Sequence, residues 1–165
     1  MKLITQETEL ALNHLLQNLF LGNAIIDNMY YNLKNMYYDN LADAIHKPVA
    51  HKLPDLADDV TELMFKLGAK PIRLGLSDCV EEYNDALSIF KQLVEYFSKL
   101  RDGVKSTIEV ADYKDDTEVC IWLEEFLEED ILPLFKQSIE WFEICEKIDI
   151  NSFNIHIKDY THYLD

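Results

Sequence analysis

The chain has 165 residues, 48% of them hydrophobic and 12% aromatic, which is enough to fill the core of one domain, and its 4 Gly and 4 Pro are too few for a turn-rich β-sandwich. Fifteen Lys and Arg against 31 Asp and Glu leave a formal charge of −16, which opposes binding to a nucleic-acid phosphate backbone. No apolar run reaches the 18 or so residues of a membrane span, and Met1-Lys2-Leu3-Ile4-Thr5 leads into acids instead of a signal sequence, so a soluble, cytoplasmic protein is expected.

Leu12, Leu19, Ile26 and Leu33 recur every seven residues, with Leu16, Tyr30 and Tyr37 on the same face, and predict helix A over about residues 6–35. Thr5 or Thr8 is suited to cap its start, and the polar stretch 35–40 ends it. Ile45, Val49, Leu53, Leu56, Val60, Leu63 and Leu67 follow in steps of four and three, predicting helix B, with Gly68 just past its end. Pro48 and Pro54 each remove a backbone donor, so helix B is expected to be kinked or broken near them while its pieces stay roughly collinear. The connector after Ala69 is longer than a hairpin needs.

Helix C carries Leu87, Phe90, Val94, Phe97, Leu100, Val104 and Ile108. Helix D carries Leu123, Leu127, Ile131, Leu134, Trp141 and Cys145, with a kink expected at Pro133. The fold class is therefore all-α: a four-helix bundle over 1–147 with a long B–C crossover, the connectivity of ferritin-like bundles, followed by a C-terminal appendage over 148–165. Cys79, Cys120 and Cys145 lie far apart without a C-x-x-C spacing, so buried reduced thiols are expected and a zinc knuckle is not.

Bundles bind metals through inward carboxylates and imidazoles. His51, Asp55, Asp58 and Glu62, at i, i+4, i+7 and i+11, would share one face of a continuous helix, and oxygen with imidazole donors suits iron or manganese. Asp43 and His46 add an i, i+3 pair with the reach of two ligands to one ion. In so acidic a chain the bland alternative is a solvated face. Helices A, C and D offer no Glu-x-x-His, so a complete di-iron carboxylate set is absent, and Asp27 is the one acid between Leu10 and Lys34. Residues 109–130 hold ten carboxylates and one base, Lys114, which helix N-terminal dipoles and a solvated face largely account for. Gly-rich phosphate loops and the G-x-S-x-G nucleophile elbow are missing.

Leu12-Asn13-His14 with Gln17-Asn18-Leu19, then Asp58-Asp59-Val60-Thr61-Glu62 followed by Leu67-Gly68-Ala69-Lys70-Pro71, resembles the Dps family of mini-ferritins, as do Leu100-Arg101-Asp102 and Asp115-Asp116-Thr117. The resemblance covers about residues 10–147. It implies a twelve-subunit shell that oxidises ferrous iron with peroxide and stores ferric mineral as an oxidative-stress defence, with a centre formed between two subunits. The family's Asp and Glu ligands of helix B fall on Asp58 and Glu62. Its His-Trp of helix A falls on Tyr30-Tyr31, and its earlier His and Asp on helix B fall on Asp43 and Lys47; if the prolines shift the register, His46 or His51 stands in. The Lys-rich tail with which some members bind DNA is absent.

The leading expectation is a homo-oligomeric, dimeric or dodecameric iron-handling protein, a possible ferroxidase with a degenerate centre whose ligands are drawn from Asp43, His46, His51, Asp55, Asp58 and Glu62. A non-catalytic scaffold that has lost the centre and acts in assembly or partner binding is the main alternative. A small carboxylate-metal enzyme of another reaction type is the third.

Overall fold

Thr5 starts the first helix, α1 (Gln6–Asn35), by accepting the Thr8 N–H on its hydroxyl at 3.4 Å. In the computed structural model, which describes residues 1–165, Leu12, Leu19, Ile26 and Leu33 of α1 are all fully buried. The helix ends where Tyr37 takes a positive φ of 64°, and α2 (Asp39–Ile45) turns back along it. A π-helical turn, His46–Ala50, joins α2 to α3 (Lys52–Lys66). Together these three pieces are helix B.

The prolines explain this interruption. Pro54 lies in the first turn of α3, where its missing N–H costs nothing to that helix. Pro48 lies inside the π turn, where it removes the donor that an α-helix would aim at the Ala44 carbonyl. The apolar phase survives the interruption, because Ile45, Val49, Leu53, Leu56 and Val60 all reach the core. α3 stops at Gly68, whose φ of 71° is the left-handed conformation of a C′ residue.

Residues 67–85 form no helix and run along the outer side of α1. Amide side chains of α1 hold this crossover by its backbone. Asn13 Nδ2 donates to the Lys70 carbonyl and its Oδ1 accepts from Ile72 N, Gln17 donates to Gly75 O, and Asn28 to Glu81 O. At the far end Asn32 Oδ1 accepts from Tyr83 N. From residue 13 to 32 on an α-helix is about 28 Å, so the crossover travels most of the bundle's length.

The third helix, α4 (Ala86–Tyr113), starts at Asp85, which accepts from Ser88 N at 2.8 Å. Helix D consists of α5 (Thr117–Phe126), a second π turn (Leu127–Ile131) and α6 (Leu132–Lys147), with Pro133 the second residue of α6, where a kink is expected. α1 packs against α3 and α4, and α4 against α5 and α6. Tyr96 of α4 crosses directly over Gly22, where a Cβ would stand 1.9 Å from its hydroxyl, and donates to the Asn18 carbonyl. Only a glycine admits that approach.

The chain ends in α7 (Ile150–His156) and a 3₁₀ turn (Ile157–Tyr160). Phe153 and Ile157 are buried, and Asn154 accepts the Leu41 N–H at the otherwise uncapped start of α2, so this segment packs on its own bundle. The three cysteines are free and half-buried, less enclosed than expected. No helix is long and apolar enough to cross a membrane.

Candidate metal centre

Helices A and B meet along one line of α1 side chains spaced i, i+4, i+7 and i+11. Lys34 pairs with Asp43 at 3.1 Å, the Tyr30 ring stacks on His46 with centroids 4.0 Å apart and planes within 10°, and Asn23 Nδ2 donates to the Ala50 carbonyl at 2.8 Å. Asp27 lies between them. Its carboxylate and the imidazoles of His46 and His51 offer three donor atoms that all lie within 4.8 Å of one another.

The π turn creates this grouping. On an α-helix five residues sweep about 500°, which would leave residues 46 and 51 about 140° apart. Here the His51 N–H bonds to the His46 carbonyl at 3.1 Å, an i to i−5 closure that brings the second imidazole back over the first. The two rings stand edge to face with centroids 4.4 Å apart.

Asp27 and His46 are half-buried and His51 is exposed, so the group has an enclosed floor and an open mouth. Asp27 Oδ1 is shielded from solvent and has no hydrogen-bond partner. A carboxylate that keeps an orphaned oxygen beside two imidazoles is a poor arrangement for an empty pocket and a good one for a cation. Two imidazoles with one carboxylate is a donor set used for non-haem Fe²⁺ and for zinc. Donors about 2.1 Å from a tetrahedral ion stand about 3.4 Å apart, so these residues fit a metal after a small inward closure.

The other residues singled out from the sequence lie elsewhere. Asp43 is exposed and engaged by Lys34. Asp55, Asp58 and Glu62 are exposed on α3, outside the three-residue group. Glu62 and Asp59 face Glu125, Glu129 and Asp130 across a groove of about 250 Å³ between α3 and helix D. Burial pushes the Asp130 carboxyl up, against the pull of Lys52 and with Asp59 and Glu125 adding to the rise. Lys47 is exposed. Asp27 was not among the residues singled out as ligands; its signal was its solitude, a lone acid in the middle of an otherwise acid-free stretch of α1.

These elements define a helical bundle of two antiparallel pairs joined by one long crossover. A family model described as Ferritin-like domain matches residues 9–132, and the chain belongs to that family. A search of curated proteins returns no match. The matched region contains Asp27, His46 and His51.

Proposed function

We propose that this chain handles iron, taking ferrous ions as substrate at the Asp27, His46 and His51 group and passing them toward oxidation and storage in a homo-oligomer. The observation that carries this reading is the Asp27 carboxylate, grouped with two imidazoles in a ferritin-like bundle and keeping one solvent-shielded oxygen, Oδ1, without a hydrogen-bond partner. A divalent cation is the partner that would relieve the desolvation of that oxygen. The exposed His51 receives the ion at the mouth, while Asp27 and His46 hold it at the floor. Tyr30, stacked on His46, keeps that imidazole in plane, and it stands where the Dps resemblance implies a histidine; the imidazole comes from helix B instead.

Asp58 and Glu62 enter this reading as oxygen ligands completed by a second chain, for which their exposure is a requirement. Carboxylates favour Fe³⁺ over Fe²⁺ and so assist oxidation. In the peroxide reaction that the Dps resemblance implies, two ferrous ions give one electron each, hydrogen peroxide takes two protons, and two waters leave.

A scaffold without a working centre is the second reading, favoured by Lys47 standing where the resemblance implies an aspartate, since an ammonium repels a cation. Anaerobic Fe²⁺ addition followed by peroxide separates the two. The iron reading expects ferric absorbance to rise faster than in buffer and to slow toward the buffer rate in Asp27→Asn. A wild-type rate equal to buffer supports the scaffold.

A further inference from the structure

The carbonyl of Ala50 is the weak point of the π turn. In a continuous helix it would accept from residue 54, but residue 54 is proline and has no N–H to give. Ala50 is 0% exposed, so bulk water does not reach it. Asn23, one turn before Asp27 on α1, supplies the missing donor from outside the helix at 2.8 Å. The peptide it grips is the one that carries His51. At the other end of the turn His46 is held by the Tyr30 ring.

We propose that Asn23 is the positioning residue of the metal centre: its side-chain amide replaces the donor lost at Pro54, locks the π turn, and so keeps His46 and His51 facing Asp27. The proposal rests on the metal reading above and adds what that reading lacks, a reason for the two histidines to converge. Without the clamp the turn is free to relax toward α-helical phase, in which His51 swings away from His46. The Asn23 side chain donates to a backbone carbonyl and acts through it, as residues behind a metal's ligands commonly do.

Co²⁺ is a suitable probe because its visible bands report coordination geometry as well as occupancy. Wild type, Asn23→Leu, Pro54→Ala and the double variant are titrated with Co²⁺, alongside Asp27→Asn as the control without the carboxylate. Asn23→Leu is expected to weaken binding about 10- to 100-fold and to alter the visible spectrum while the far-ultraviolet dichroism stays that of a helical bundle. Pro54→Ala, which gives Ala50 a backbone donor and restores α-helical closure, is expected to lose affinity while holding or gaining thermal stability. In that background Asn23→Leu should change Co²⁺ affinity no further, because the carbonyl no longer depends on it. Wild-type affinity and spectrum in Asn23→Leu would overturn the proposal; should that variant not fold, wild-type affinity in Pro54→Ala overturns it instead. Binding in wild type no stronger than in Asp27→Asn removes the metal reading and this proposal together, whereas strong wild-type binding unaffected by Asn23→Leu removes the proposal alone.

Discussion

The backbone N–H of His51 donates to the carbonyl of His46 at 3.1 Å, one residue further back than an α-helix allows. That single bond converts two histidines that would diverge on a regular helix into neighbours whose rings meet at 4.4 Å. It also turns a proline-interrupted helix B into a device, since the interruption falls at the level of the lone acid of α1. π turns cost regular hydrogen bonding and concentrate at functional sites for this reason.

Metal should stabilise the fold through this group. At a free Co²⁺ or Zn²⁺ concentration 100 times its dissociation constant, mass action adds about 2.7 kcal/mol to wild type, and the melting temperature rises accordingly. Asp27→Asn, His46→Ala and His51→Ala should each remove most of that rise. Metal-free Asp27→Asn is expected to be no less stable than wild type, because it replaces a carboxylate that has a shielded, unpartnered oxygen by a neutral amide of the same shape. Scanning calorimetry with and without metal checks both parts.

Alkaline pH should unfold the protein in a definite window. Burial pushes Tyr83, near the end of the crossover, up to about 12, with Glu81 adding to the rise, and burial pushes Cys145 up to about 11, while Tyr96 is raised further still. A group whose folded value is raised keeps its full stabilising contribution below its unfolded value and loses it as pH climbs through the folded one. The unfolded chain ionises first, near 9.0 for the thiol and 10.0 for the phenols. Urea midpoints should therefore hold steady up to about pH 9 and fall progressively from pH 9 to 12. At neutral pH Cys145 should react slowly with alkylating reagents, since the thiolate is the reactive form.

The amino terminus is tied to the turn between α4 and α5 by one buried acid. Asp116 Oδ2 accepts from the Thr5 N–H, the Thr5 hydroxyl and the Thr8 hydroxyl. Asp116→Ala leaves three donors short of an acceptor and should cost about 2–3 kcal/mol in urea unfolding. Thr5→Ala removes one of these donors together with the cap of α1 and should cost about 1 kcal/mol.

Much of this architecture is legible in single residues. The heptad Leu12, Leu19, Ile26, Leu33 placed α1, and the long connector after Ala69 placed the crossover, because burial periodicity and loop length are both local properties. Pro48 and Pro54 announced a defect in helix B without naming its kind, since proline is compatible with a kink, a break or a π turn, and the choice depends on what helix A offers across the interface. The candidate ligands divide along the same boundary. His46 and His51 were visible as replacements should the register shift, whereas pairing them with Asp27 requires knowing that position 27 of one helix lies level with positions 46 and 51 of the next. Asp58 and Glu62, readable from the motif that runs on to Pro71, are exposed on α3 away from the three-residue group, and Glu62 lines the acidic groove toward helix D. The C-terminal segment was the least legible, because Phe153 and Ile157 are too few to define a helix face until the groove beside α2 and α6 receives them.

The central claim is that Asp27, His46 and His51 together hold a ferrous ion. X-ray absorption of anaerobically Fe²⁺-loaded protein tests it most directly. The account predicts about one tightly bound iron per chain, with the outer-shell scattering of two imidazoles, and loss of that scattering in the His46→Ala/His51→Ala double variant. Iron surrounded by oxygen alone, or a spectrum unchanged by that double variant, would contradict it.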